Sequence, residues 1–129
     1  MILVDSSVWI AHLRGQHKPE TIKLEEAVAR EPLLVGDLIL LEILQGARDD
    51  AHATRIKRGL RQYTIVPLLD AYLAPRAARN YRKLRELGIT IRKTADIIIS
   101  TFCIEHGHAL LHDDLDFAPM EEHLGLKVV

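Results

Sequence analysis

"MILVDSSVWIAHLRG" (residues 1–15) joins a continuously apolar run to one carboxylate, two hydroxyls and an apolar helical pattern that stops at Gly15. A short run such as "MILV", apolar at every position, suits a strand covered on both faces, as in a parallel sheet. The serines that follow read as a helix cap, and the glycine as its stop. A strand feeding directly into a helix is the first half of a β-α crossover. Asp5 then sits at the carboxyl end of the first strand, where open parallel sheets gather their loops.

The rest of the chain repeats this alternation. "ETIKLEEAVARE" places Ile22, Leu24, Ala27 and Val28 at helical spacing, and "PLLVG" is a second short strand. "DLILLEILQGA" opens on Asp37 as N-cap, closes on Gly46 and is apolar almost all round, which predicts a buried helix. A polar helix "DAHATRIKRGLRQY", a strand "TIVPL" and a long helix "DAYLAPRAARNYRKLRELG", with a kink or true start at Pro75, come next. "TADIIISTFCIEHG" reads as a helix capped by Thr94 and ended by Gly107; "HALLH" is a fourth strand, and "LKVV" a closing one. The expected fold is α/β: a mainly parallel sheet of four to five strands with helices on both faces, in one domain spanning residues 1–129.

Composition narrows the function. Apolar content of 48% supplies a core, while a net charge of −1 does not announce a nucleic-acid binder, so any such contact must come from local patches. The single cysteine, Cys103, excludes an internal disulfide framework and a cysteine zinc site, and reads as a buried small hydrophobe. No stretch approaches the ~20 apolar residues of a membrane span, and the N-terminus lacks a basic leader. The expectation is a soluble cytoplasmic protein with no membrane partner.

The acids fall at apolar boundaries. Asp5 ends the first strand; Asp113, Asp114 and Asp116 follow the fourth; Glu42 interrupts an otherwise apolar helix and so faces the core or a cleft wall. Asp96 stands in a helical first turn ahead of three isoleucines, where the simplest role is a helix-dipole partner worth ~0.3–1 kcal/mol. Taken singly, each acid has such a structural explanation. Four together at apolar boundaries point elsewhere, because clustered carboxylates must take up protons or find a cation. A hard divalent ion, Mg²⁺ or Mn²⁺, prefers oxygen ligands and uses few direct carboxylates, and it activates water for attack on a phosphodiester.

In this arrangement the chain resembles the PIN-domain family, specifically the toxin ribonucleases of VapBC toxin–antitoxin pairs, from end to end. The family's apolar strand leading into Asp-x-Ser/Thr stands here as "ILVDSSVWI", its helical acid as "LILLEILQG", its third acid as "RKTADIIIS", and its last acidic turn as "HDDLDF". The resemblance implies a three-layer α/β/α fold and a metal-dependent endoribonuclease, commonly a homodimer, inhibited by a cognate VapB-type antitoxin. It also implies Asp5, Glu42, Asp96 and Asp114 as catalytic residues, with Asp5, Asp96 and Asp114 on the metal. Ser7 is the supporting hydroxyl and Asp116 an auxiliary acid. His112 departs from the pattern, which usually has threonine or serine there, and adjacent Asp113 competes with Asp114 for the ligand role.

Other residues are read more plainly. His106, His108 and His112 lack a zincin-like spacing and are taken as surface and strand-end histidines, with His112 a candidate substrate contact beside the acids. The basic runs "RIKRGLR" and "RAARNYRKLR" read mostly as solvated helix faces, whereas Arg92 and Lys93, immediately before Asp96, are candidates for RNA phosphate contacts. Trp9 is assigned to core or interface. Two rivals stand beside the nuclease: a PIN fold used for RNA binding or assembly, and a receiver-like signalling domain. The receiver would want an acidic pair near the first strand and a lysine ending the last core strand, but Asp5 is followed by serines and no such lysine is evident.

Overall fold

The computed structural model describes residues 1–129. Four strands, β1 (Ile2–Val4), β2 (Leu33–Gly36), β3 (Thr64–Val66) and β4 (Ala109–Leu111), form one sheet in the order β3-β2-β1-β4. Every pairing is parallel. Between β1 and β2 lie α1 (Ser6–Leu13) and α2 (Pro19–Arg30), and between β2 and β3 lie α3 (Asp37–Gln45) and α4 (Asp50–Leu60). Helices α5 (Leu73–Glu86) and α6 (Thr94–His106) connect β3 to β4, and α7 (Ala118–Leu124) follows a 3₁₀ turn at Leu115–Phe117. Helix α1 packs on α2 and α3, and α3 on α4, while α5 and α6 pack together and both meet α7. This is the expected three-layer α/β/α sandwich.

The strand order fixes where loops gather. From β1 the chain steps outward to β2 and β3, then crosses back past β1 to β4, so the direction reverses between β1 and β4. Ligand crevices of open α/β sheets lie at the carboxyl ends of strands that flank such a reversal. Val4 pairs with Leu111 there, and the Asp5 N–H donates to the Leu111 carbonyl at 2.9 Å, so Asp5 and His112 leave adjacent strands side by side.

Strands β1, β2 and β4 are covered on both faces, as their unbroken apolar runs require, with Leu3, Val4, Val35, Leu110 and Leu111 fully buried, whereas the edge strand β3 leaves Thr64 and Ile65 exposed. Gly36 ends β2 because nothing larger fits. A Cβ there would stand 2.4 Å from a Leu68 methyl carbon. Gly107 closes α6 in the left-handed region, at φ 69°.

Several boundaries differ from the sequence reading. The N-cap of α1 is Asp5 itself, not a serine; its side chain accepts from the Ser7 N–H. Lys93, not Thr94, precedes α6, and Thr94 is the first helical residue. Gly36 precedes α3, and Asp37 instead accepts from the N–H groups of Leu38 and Leu68, tying the end of β3 to the start of α3. Helix α5 begins at Leu73, its N–H held by Asp70, so Pro75 lies inside the first turn, where a missing N–H costs nothing. "LKVV" contributes only a single bridge from Val128 to Leu110 rather than a fifth strand. Helix α3 is not buried all round: only Ile39 and Ile43 are, and Leu41 is 52% exposed. Ile22 and Val28 on α2 are likewise exposed. No helix is long and apolar enough to cross a membrane.

Candidate active site

Asp5 is only 4% exposed, held where β1 turns into α1. Its Oδ2 accepts from both the Ser7 hydroxyl (2.6 Å) and the Ser7 N–H (3.1 Å). The same Ser7 oxygen accepts the Asp113 N–H at 3.1 Å, so one hydroxyl fixes the first acid and ties it to the turn after β4. Burial raises the Asp5 pKa, and the Ser7 bonds act against that rise.

Asp96 shares this depth. It is also 4% exposed, because the eight consecutive residues 96–103 of α6 are all buried. Oδ2 of Asp96 is shut from solvent and has no hydrogen-bond partner. Burial, followed by the charge of Asp5, pushes its pKa up to about 7.

Glu42 reaches the same space from α3 and is half-buried, a cleft-wall residue. Its Oε1 accepts from the Ser6 hydroxyl at 3.3 Å, and burial, then Asp5, raises its pKa. Asp114 caps the 3₁₀ turn, its Oδ1 accepting from the Asp116 N–H at 2.9 Å. Carboxylate oxygens of Asp96, Asp114 and Asp116 lie within 4.8 Å of one another. The tightest trio therefore contains Asp116, while Asp5 joins it through its coupling to Asp96 and Asp114, and Glu42 through its coupling to Asp5 and Asp114.

Asp113, though next in sequence to Asp114, turns away from the cluster, and its carboxylate pairs with Lys18 Nζ from the segment ahead of α2. Lys93 Nζ stands 3.6 Å from Asp114 Oδ2 and 4.0 Å from Asp116 Oδ2, over the acids rather than at a distance from them. Arg92 lies farther round, in a shallow groove with Ile91, Leu115, Asp116 and Pro119. His112 packs its ring against Phe117 at 4.8 Å, and its Nδ1 accepts the Asp114 N–H at 3.1 Å, standing in for the acceptor a hydroxyl would supply. His106 and His108 instead stack on each other beside Phe102. Trp9 and Cys103 are core, and burial pushes the Cys103 thiol up to about 12.

Two contributors escape a reading of the sequence alone. Ser6 stands out only as half of a cap-like pair, and Lys18 only as one of many lysines; their partners lie 36 and 95 residues away. The nearest local hint for Ser6 is that two adjacent hydroxyls follow Asp5 when one suffices for a cap.

Five carboxylates facing one lysine leave a strong negative excess, and Asp96 carries a buried oxygen with nothing to accept from. The donors are all oxygen. Such a set fits a hard divalent cation: its charge would lower the pKa values that burial raises, and its coordination would occupy the orphaned oxygen.

Comparison with known proteins agrees with this geometry. The family model for the PIN domain matches residues 2–122. The VapC ribonuclease Mb1587 of Mycobacterium bovis is 31% identical over 119 residues, covering 91% of this chain and 89% of that protein. Ribonuclease VapC11 of Mycobacterium tuberculosis matches to the same extent. Among solved structures, VapBC2 from Rickettsia felis bound to a DNA fragment from its promoter superposes with a TM-score of 0.80 at 14% identity, covering 100% of this chain and 98% of that one. The chain belongs to the PIN domain family, among its VapC-type members.

Proposed function

We propose that this chain is a metal-dependent endoribonuclease, the toxin of a type II toxin–antitoxin pair, acting as one nuclease domain over residues 1–129. The observation that carries the proposal is the close trio of Asp96, Asp114 and Asp116, with Asp5 and Glu42 coupled to it and Oδ2 of Asp96 left without a partner. Relatives named as ribonucleases support the substrate class, and a neighbour solved as a VapBC complex supports an antitoxin partner. The cation would be Mg²⁺ or Mn²⁺, which Asp5, Asp96 and Asp114 would hold with Asp116 beside them. When bound, it would supply the Lewis acidity that lets water attack an RNA phosphodiester.

The remaining work belongs to side chains. Ser7 keeps Asp5 oriented, and its bond to the Asp113 N–H holds the two acidic turns at a fixed separation. Glu42, steadied at Oε1 by Ser6, takes the proton released by the attacking water. Lys93 stands over the acids where an RNA phosphate would approach, with Arg92 farther round, while His112 is turned inward, its Nε2 shut from solvent. A VapB-type antitoxin blocks this mouth, and the active form is a cytoplasmic homodimer.

The test is Asp5→Asn with folding followed by circular dichroism. Loss of Mn²⁺-dependent RNA cleavage by a folded variant is the expected result, and undiminished cleavage overturns the assignment. Lys93 gives the rival, a nuclease-dead RNA-binding module, its one specific support, since it already neutralises part of the cluster. RNA binding by the wild type without cleavage at any Mg²⁺ or Mn²⁺ concentration would decide for that rival.

A further inference from the structure

Helices α5 and α6 pack antiparallel, as two contacts fix: Arg76 Nε lies 3.5 Å from Glu105, and Asn80 Nδ2 donates to Thr101 Oγ1 at 3.0 Å. Between them runs a groove of about 470 Å³ lined by Pro75, Arg76, Arg79, Asn80 and Lys83 of α5 and by Glu105 of α6. Three cations face one carboxylate, and that carboxylate is engaged by Arg76. Arg76 is pinned further, its guanidinium 3.6 Å from the Tyr72 ring centre and bonded to the Tyr72 carbonyl. Arg79 and Lys83 are exposed, and neither has an acidic partner within 4.0 Å.

The row has a direction. In the antiparallel register, Arg76 stands level with the last turn of α6, and Lys83, two turns along α5, stands level with Ile98, close to the Asp96 end. Successive cations rise by about 4.5 and 6 Å along the axis, at roughly 1.5 Å per residue. A chain of net charge −1 thus concentrates positive charge in a concave track whose axis runs towards the end of α6 that carries Asp96. Like charges so placed repel one another, and a polyanion lying along them removes that cost.

We propose that this groove is a second RNA site, which holds the phosphate backbone of a single strand on one side of the bond being cut. The proposal rests on the nuclease reading for the identity of its polyanion. Arg79 and Lys83 each neutralise a phosphate, while Arg76 and Asn80 are held to the protein and shape the wall. Because only backbone is touched, the site lengthens the footprint on RNA without reading its sequence.

The experiment compares wild type with Arg79→Gln/Lys83→Gln, and with Lys57→Gln/Arg58→Gln, which removes the same charge from exposed positions on α4. Binding of a single-stranded RNA of about 30 nucleotides and of one of about 6 is measured in chelator over a salt series, at the ~0.7 slope per phosphate of single strands. For Arg79→Gln/Lys83→Gln, the affinity for the longer RNA falls roughly tenfold and the slope of log K against log salt by about 1.4, two phosphates' worth. The short RNA and the α4 variant stay close to wild type. Equal losses on both RNAs, equal losses in the α4 variant, or no loss at all overturn the proposal. So does loss of polyglutamate binding with RNA binding unchanged, which assigns the groove to an acidic protein segment. Since no arm requires cleavage, a wild type that binds in this way yet never cuts RNA would defeat the nuclease reading and leave the groove standing.

Discussion

Helices α3 and α6 look alike in sequence: each is a largely apolar run that carries one acid of the cluster, Glu42 in one and Asp96 in the other, with a second acid, Asp37 or Glu105, near its end. The fold uses them differently. Helix α6 buries eight consecutive residues, and its acid is shut in with an orphaned oxygen and a pKa pushed up to about 7. Helix α3 buries only Ile39 and Ile43, and its acid is half-exposed with a hydroxyl to lean on. Burial leaves one carboxylate with an oxygen that nothing donates to, and leaves the other within reach of solvent.

The largest expected effect tests that division. Asp96→Asn lowers metal-dependent cleavage by on the order of 10³-fold and abolishes Mn²⁺ binding by calorimetry, because the remaining amide is a poor ligand. Glu42→Gln lowers cleavage by about 10²-fold, within the range of a lost proton acceptor, and leaves Mn²⁺ binding in place. Equal losses of metal binding in the two variants would erase the distinction between the helices.

Next in size is the packing contrast. Ile99 is fully buried in α6, so Ile99→Ala costs about 2–5 kcal/mol in denaturant unfolding. Leu41, 52% exposed on α3, gives a change within about 0.5 kcal/mol on Leu41→Ala. A large cost at Leu41 would mean that α3 is covered in solution, by a second copy or another chain.

How far these differences can be read from the sequence depends on what each rests upon. The strands are legible because "ILV", "LLVG" and "ALL" are apolar at every position, and only a sheet covered on both faces demands that. The acids are legible because each breaks an apolar pattern. Exposure of Leu41, Ile22 and Val28 is not, since periodicity says which residues share a face and not which faces meet. The caps at Asp5 and Lys93 lie one residue from where the local pattern puts them, because several adjacent polar residues satisfy the same local rule and tertiary contacts choose among them. Ser6 with Glu42, and Lys18 with Asp113, join distant segments, so nothing local marks either pair.

A smaller effect concerns pH in the metal-free protein. The folded pKa of Asp96, about 7, lies above that of an unfolded aspartate, so the native state holds a proton the unfolded chain releases. The resulting stability is complete below the unfolded value of about 3.9 and is lost as pH rises through 7. Relative to Asp96→Asn, which stays neutral, the wild type should lose on the order of 2 kcal/mol between pH 5 and pH 8.5. Glu42→Gln should remove less of the pH dependence, with the same sign, because Glu42 is closer to solvent. A wild type whose unfolding midpoint is flat across this range would show that Asp96 is already ionised in the empty site.

The smallest effect separates the two hydroxyls that serve these acids. Ser7 approaches Asp5 at 2.6 Å and also receives the Asp113 N–H, so Ser7→Ala frees the first acid and unties the turn that carries Asp114. Groups that orient metal ligands in this way typically matter by 10- to 100-fold, and Mn²⁺ affinity should weaken by about tenfold. Ser6 meets Glu42 at 3.3 Å, a long bond to a half-exposed group, and its hydroxyl donates to none of the other acids. Ser6→Ala should therefore leave Mn²⁺ affinity unchanged and lower the cleavage rate by roughly threefold, the scale of a weak solvent-competing hydrogen bond. A matching loss of metal affinity in Ser6→Ala would place Glu42 among the ligands and make α3 a second wall of the metal site, the role that burial reserves for α6.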